Sequence, residues 1–183
     1  MADLCDAYVQ EVLKFRLALN LTSIKDGDLF HARFIRPSLA MVDMMPDQGR
    51  VLDVGSGMGV PGIPLLAAKP GLTGVLVERR KKRAEFLRHV VRKLKLNAEV
   101  YDADINDLPS LNIDVCVARA VADEAMLLKM FAGHVNDGAI AVLPVPRAHP
   151  PVHVEGWEMT AEYSVNVDNW TDENQLIRCY RYC

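Results

Sequence analysis

The sequence predicts an α/β protein with a doubly wound, mostly parallel sheet, preceded by N-terminal helices and completed by a C-terminal antiparallel hairpin. Between residues 51 and 143, apolar runs and helical stretches alternate five times with short turns. Such alternation is typical of parallel βαβ folds. The first apolar run ends directly in a glycine-rich loop, and two strand-like segments follow the alternating region.

The first 45 residues are predicted to be helical. Apolar residues recur at helical spacing with charged residues between them, so we expect an amphipathic helix over residues 2–18. A second helix is expected over residues 28–45, where Pro37 should kink or divide it because proline removes a helical N–H donor. Residues 1–45 would then form a helical cap.

Five strands and their connecting helices are predicted within a cofactor-binding βαβ core of residues 46–145. The apolar runs predict strands at residues 51–54, 73–77, 98–101, 113–118 and 139–143. The stretches between them predict helices at residues 61–68, 79–96 and 122–131.

Residues 146–183 are expected to form C-terminal edge strands. A stiff loop should end the fifth strand, because proline cannot donate to a ladder hydrogen bond. The prolines that predict this loop are Pro144, Pro146, Pro150 and Pro151. Partial alternation over 157–166 and 174–182 predicts two antiparallel strands. We find no linker, and therefore expect a single domain over residues 1–183.

The composition favours a globular protein outside the membrane. Half of the 183 residues are hydrophobic, yet no apolar run reaches the roughly 20 residues that a spanning helix requires. The N-terminal segment lacks the basic and apolar regions of a secretory signal. The four cysteines are not spaced as zinc ligands. We therefore expect a cytoplasmic protein with reduced thiols and no metal site.

Charge is distributed unevenly along the chain. The whole sequence carries a net charge of −3, but residues 78–95 contain nine basic and two acidic residues. This window is therefore +7 and the remainder −10. A local basic face can bind phosphate even when the average charge is acidic, although a solvated helix face would have the same composition.

The most informative stretch is the glycine loop, which we define as residues 53–60. Glycine permits a tight turn and lets a ligand approach the backbone, and amides at the following helix start can bind a polar group. A dinucleotide-binding loop would need a third glycine where Val60 stands. The spacing instead resembles the first motif of class I S-adenosylmethionine-dependent methyltransferases. That resemblance implies cofactor contacts for Asp53, Gly55, Ser56, Gly57, Gly59 and Val60.

Polar residues also follow the second and third predicted strands. Glu78 stands 23 residues after Gly55, where a carboxylate can accept hydrogen bonds from both ribose hydroxyls of a nucleoside. A first-turn helix acid is the alternative. In the class I methyltransferases the next turn borders the adenine, which implies contacts for Asp104, Ile105 and Asn106. A solvated polar turn would look the same.

Four segments together resemble the glucose-inhibited division protein B family, the small-subunit ribosomal RNA guanine-N7 methyltransferases. The Pro-Gly-Ile-Pro extension of the glycine loop is more specific than the glycines themselves. The matching segments are residues 20–24 (NLTSI), 51–64 (VLDVGSGMGVPGIP), 82–87 (KRAEFL) and 118–122 (ARAVA).

The resemblance implies a Rossmann-like class I methyltransferase that uses S-adenosylmethionine to methylate small-subunit ribosomal RNA at guanine N7. It implies ribosomal RNA or the small ribosomal subunit as partner, with no membrane and a monomeric protein. Asn20 and Arg119 would face the cofactor–substrate cleft in catalytic roles, and Arg119 would also contact the cofactor. RNA contacts are implied for Lys81, Lys82 and Arg83.

The chain departs from the family pattern on the substrate side. Phe34 stands where the family usually has histidine, and Asp104 and Pro144 stand where it has basic residues. These departures keep a second hypothesis open, a methyltransferase-fold protein that binds cofactor or RNA with a different substrate or without turnover. A nucleotide-cofactor oxidoreductase is a third hypothesis, which the glycine spacing disfavours.

Overall fold

Seven strands form one mixed sheet in the order β3-β2-β1-β4-β5-β7-β6, in a computed structural model that describes residues 2–119, 122–146, 149–165 and 175–183. Strands β1 to β5 are parallel, and β7 runs antiparallel to β5 and β6. The predicted fold class is confirmed. The strands are β1 (Gly49–Val54), β2 (Leu72–Val77), β3 (Ala98–Tyr101), β4 (Ile113–Val117), β5 (Val135–Pro146), β6 (Trp157–Ser164) and β7 (Gln175–Tyr182).

Six α-helices connect or precede these strands in the described part of the chain. They are α1 (Ala2–Phe15), α2 (Gly27–Phe30), α3 (Arg36–Leu39), α4 (Gly62–Ala68), α5 (Lys81–Leu94) and α6 (Glu124–Ala132). Residues 166 and 174, which we predicted as strand termini, lie outside the described residues. Residues 120 and 121 of the ARAVA segment do so as well.

The second predicted helix is divided into short pieces. A π-helical turn, His31–Ile35, joins α2 to α3, and a 3₁₀ turn, Val42–Met44, follows α3. Within this region the Arg36 N–H donates to the His31 carbonyl, five residues back. Pro37 lies in the first turn of α3 and has no N–H, so the hydrogen-bond register of one α-helix cannot run through it.

The sheet is covered on both faces. Consecutive residues Val51 and Leu52 of β1 belong to opposite core clusters, because successive side chains in a strand point to opposite faces. One cluster packs α1, α4 and α5 on the sheet, and the other packs α6 with Trp157. Burial on both faces explains why β1, β2 and β4 are almost continuously apolar.

Strand β5 continues through Pro144 and Pro146, so our expectation that the prolines end this strand was wrong. The parallel neighbour β4 pairs only as far as Val142, whereas β7 pairs along β5 to Pro146. Beyond Val142, the edge of β5 that faces β4 therefore has no strand partner and needs no backbone N–H donor. Prolines are tolerated at such positions because no hydrogen bond is lost.

Two further observations concern only the described residues. No helix in them is both long and apolar enough to cross a membrane. Their four cysteines, of which only Cys183 is exposed, form no disulfide.

Candidate active site

The glycine loop lies at the carboxyl end of β1 and leads into α4. Gly55, Gly57 and Gly59 have φ angles of +65°, +57° and +107°, a region that glycine enters without steric cost. A β-carbon at Gly59 would lie 2.6 Å from Cγ1 of Ile63. The loop thus packs closely against α4 and requires its glycines.

Asp53 and Ser56 lie beneath the loop. Oδ2 of Asp53 accepts a hydrogen bond from the Gly62 N–H at 3.1 Å, and the Ser56 hydroxyl donates to the Asp53 carbonyl at 2.7 Å. Asp53 is 1% exposed, and burial raises its pKa to about 7. In the structure both side chains hold the backbone of the loop.

Glu78 joins the glycine loop to the start of α5. Its carboxylate accepts the Gly57 N–H at 3.0 Å and the Arg80 N–H at 2.7 Å, one on each oxygen. The residue is buried, so these bonds fix the carboxylate at the carboxyl end of β2. Each oxygen has a further lone pair with which to accept a ligand hydroxyl.

The first cleft, as we call it, has a volume of about 330 Å³ and opens between the carboxyl ends of β1, β2 and β3. Four of the predicted cofactor-binding residues line it together: Gly55, Glu78, Asp104 and Ile105. Sequence reasoning missed Met126 and Met130, whose four-residue spacing places them on one face of α6. The exposure of Met126, 48%, is visible only in the fold.

Four further residues that were predicted to contact the cofactor do not line the first cleft: Gly59, Val60, Asn106 and Arg119. Gly59 and Val60 are buried where the loop meets the core. Asn106 is exposed, and its side-chain amide donates to Asp104 at 2.8 Å. Asp104 caps the 3₁₀ turn Ile105–Asp107 by accepting the Asn106 N–H at 3.0 Å.

The three predicted RNA-binding residues fall in two places. Arg83 lines the first cleft and donates to the Asn20 carbonyl at 2.6 Å, which ties the loop after α1 to α5. Asn20 itself is exposed and has a φ of +50°. Lys81 and Lys82 are exposed in the first turn of α5 and do not line this cleft.

The second cleft, of about 420 Å³, lies at the carboxyl ends of β4 and β5. Arg119 lines it, with its guanidinium carbon 4.8 Å from the centre of the Phe34 ring. Pro144 and His149 also belong to its wall, and Ala122 lines both clefts. The two clefts therefore adjoin at Ala122.

A buried ionic cluster supports the second cleft from below. Glu124, at the start of α6, accepts hydrogen bonds from Arg178 at 2.7 Å and from the Tyr180 hydroxyl at 2.6 Å. Arg178 is 1% exposed and also donates to the carbonyls of His149 and Pro150. No sequence pattern indicates this cluster, because Glu124 lies more than 50 residues before Arg178 and Tyr180.

Helix α1 contacts the glycine loop directly. The hydroxyl of the fully buried Tyr8 donates to the Met58 carbonyl at 2.8 Å. Tyr8 is one of the apolar residues at helical spacing that predict α1, and this spacing does not predict a contact with the loop. A buried tyrosine hydroxyl usually needs a partner, which is the one signal that could have indicated this contact.

A sequence model of the family described as rRNA small subunit methyltransferase G matches residues 1–143. A relative named ribosomal RNA small subunit methyltransferase G, from Desulfotalea psychrophila, is 38% identical over 133 residues, which span 69% of this chain and 61% of that protein. A relative of the same name from Xylella fastidiosa strain M23 is 33% identical, over 93% of this chain and 82% of that protein.

Solved structures resemble the chain in fold. A SAM-dependent methyltransferase from Aquifex aeolicus superposes with a TM-score of 0.58 at 16% identity, covering 84% of this chain and 93% of that one. TYW2 from P. horikoshii, solved in complex with MeSAdo, superposes with a TM-score of 0.64 at 18% identity, covering 81% and 62%.

Proposed function

The chain belongs to the rRNA small subunit methyltransferase G family, and from this premise we propose that it transfers a methyl group from S-adenosylmethionine to guanine N7 of small-subunit ribosomal RNA. The observation that carries the proposal is the first cleft, where Glu78 and the glycine loop meet at the carboxyl ends of neighbouring parallel strands. Ligands of open α/β sheets bind at such positions.

The residues of the first cleft fit this cofactor. Glu78 offers acceptor lone pairs for two ribose hydroxyls, and its ties to Gly57 and Arg80 hold it in place. Ile105, Met126 and Met130 provide apolar surface for a purine. Gly57 has a φ of +57°, which glycine adopts without strain, and in this conformation its N–H holds the Glu78 carboxylate.

When bound, this cofactor supplies an electrophilic methyl carbon. The chain needs no general base, since guanine N7 carries a lone pair and no proton. Its residues instead have to position the base in line with the methyl group, which can account for much of the rate enhancement.

The second cleft is where we assign the target guanine. It adjoins the first cleft at Ala122, so a base there would approach the methyl carbon directly. Arg119, held against the Phe34 ring, can donate to the guanine O6 or to a phosphate. Because N7 lies in the deep major groove of paired RNA, the target should be an unpaired base.

We place the protein in the cytoplasm as a monomer that acts on ribosomal RNA or on the small ribosomal subunit. Arg83, Lys81 and Lys82 would contact RNA phosphate. Phe34 and Pro144, which both depart from the family pattern, line the second cleft. These departures favour one alternative function, a protein that binds cofactor and RNA without turnover.

The decisive experiment is transfer of tritiated methyl groups from S-adenosylmethionine to small-subunit RNA, and to intact subunits, that lack the modification. Incorporation that maps to a guanine, and that is lost in Arg119→Ala while cofactor affinity is retained, is the expected result. Tight cofactor binding in calorimetry with no incorporation into either substrate would favour the alternative without turnover. Binding of NAD in preference to S-adenosylmethionine would contradict both.

A further inference from the structure

A groove separate from both clefts lies between the end of α1 and the start of α5. We call it the α1–α5 groove. It has a volume of about 540 Å³, and its floor is apolar. Phe15, Leu19 and Phe86 form this floor, with His89 at its side. The Phe15 ring meets Phe86 and His89 edge to face, at centroid distances of 5.9 and 5.4 Å.

The rim of the α1–α5 groove is basic. Lys81 and Lys82 line it, and the Lys14 ammonium stands 5.3 Å from the centre of the Phe15 ring. Glu85, a carboxylate on the same rim, is paired with Arg88 at 2.7 Å. Because the exposed Lys14 side chain covers this face of Phe15, the face borders solvent and is not packed in the core.

We propose that the α1–α5 groove binds an unpaired base of the RNA substrate, which stacks on Phe15 while Lys81 and Lys82 hold the adjoining phosphates. The inference rests on the proposed function. Aromatic rings beside cationic side chains bind single-stranded nucleic acid, since every base has a π face and every linkage has a charge. The Lys14 ammonium would move from the ring face to a phosphate.

Continuity with the first cleft favours RNA over a peptide or a second protein copy. Arg80 and Arg83 line the first cleft, and Lys81 and Lys82, in the same turn of α5, line the groove. One turn of helix spans about 5.4 Å. A strand whose target base occupies the second cleft, which adjoins the first cleft at Ala122, can therefore continue past the basic side chains at the start of α5 into the groove.

The test compares a short adenosine oligoribonucleotide with an abasic one of equal phosphate number, in the presence of S-adenosylhomocysteine. The wild-type protein should bind the base-containing strand at least about fivefold more tightly. Phe15→Leu, which keeps apolar volume but removes the ring, should abolish this preference and leave abasic binding unchanged. Tyr163→Leu, which removes an exposed ring on β6, should keep it.

Cross-linking of a 4-thiouridine strand to the wild-type protein gives a second measurement that no folding defect can affect. Cross-links should fall within residues 14–19 or 81–89. A preference that survives in Phe15→Leu, or cross-links confined to other segments, would overturn the inference. Methyl transfer to small subunits, assayed in parallel, separates the two proposals: transfer without base preference removes only the stacking site, and preference without transfer removes only the proposed reaction.

Discussion

Two carboxylates hold the glycine loop in different surroundings. Glu78 stands at the wall of the first cleft, and each of its oxygens accepts a backbone N–H. Asp53 lies beneath the loop, where its Oδ2 accepts one N–H and its Oδ1 is buried with no hydrogen-bond partner among the described residues. Ionisation of Asp53 is therefore unfavourable, because the carboxylate loses hydration that its hydrogen bonds in the folded protein do not fully replace.

The pH dependence of stability should report on Asp53. Because its pKa rises from 3.8 to about 7 on folding, the folded state binds the extra proton, and this contribution to stability falls as pH rises from about 4 to 7. Asp53→Asn removes that titration. We expect the free energy of unfolding of the variant, relative to wild type, to increase by roughly 2–3 kcal/mol between pH 5 and pH 8, measured by urea denaturation. A constant difference would contradict the assignment.

Gly57→Val should disable the loop chiefly through its backbone. A β-branched residue at a φ of +57° is strained, and we expect a stability loss of about 1–3 kcal/mol. Calorimetry should show at least about tenfold weaker S-adenosylmethionine binding. Gly133→Ala is the matched control, because a β-carbon there meets nothing within 4 Å, and it should change neither quantity.

At the scale of elements, α1 is fastened to α5 by a buried acid. Glu11 is only 4% exposed, and it accepts hydrogen bonds from His89 at 2.5 Å and from Lys93 at 2.6 Å. Burial alone would raise the pKa of Glu11, but these two partners hold it below its usual value. Together with the bond from Tyr8 to Met58, the pair anchors the helical cap over the glycine loop.

Glu11→Gln should loosen this attachment. We expect a loss of about 1–2 kcal/mol at pH 7, less than for a fully buried pair because His89 and Lys93 are partly exposed and regain water. Since the folded pKa of Glu11 is lowered, the difference from wild type should shrink as pH falls below about 4. Glu85→Gln, which breaks an exposed pair with Arg88, should cost nearly nothing. Equal losses of stability in the two variants would show that the buried Glu11 contacts contribute no more than the exposed pair of Glu85 and Arg88.

The elements best predicted from the sequence are those whose formation depends on the local residue pattern. The strands β1 to β4 carry apolar runs ended by glycine or polar turns, so their positions follow from the pattern alone. The path of β5 through Pro144 depends on which neighbours flank it, and the burial of Glu11 depends on where α5 lies. In the site, the sequence pattern predicted cofactor contacts for both Gly55 and Glu78, and both line the first cleft, whereas the cluster around Arg178 arises only from tertiary contacts.

At the scale of the whole molecule, the net charge is negative, but the segment that contains α5 is strongly positive. Residues 78–95 carry +7 in a protein of net charge −3. Short-range attraction at α5 can thus coexist with long-range repulsion of RNA from the remaining surface. At physiological salt that repulsion is screened beyond about 8 Å, which leaves the helix to decide where phosphate binds.

Salt titration of RNA binding should reveal this arrangement. Each phosphate contact on a single strand contributes about 0.7 to the slope of log affinity against log salt. The double variant Lys81→Gln, Lys82→Gln should lower the magnitude of the slope by about 1.4, as measured by fluorescence anisotropy. Lys129→Gln, on α6 of the opposite sheet face, should leave the slope unchanged. An unaltered slope in the double variant would place the phosphates elsewhere.

The crossed order of the last strands bears on how the molecule is synthesised. β6 precedes β7 in the chain, yet β7 lies between β6 and β5. A nascent polypeptide therefore emerges with β6 complete before the strand that will join it to the sheet has been translated. During that interval the edge of β5 that β7 will occupy is open to pairing with other chains. Glu124 also lacks its partner, because Arg178 belongs to β7. Termination before residue 175 would make that exposed intermediate permanent.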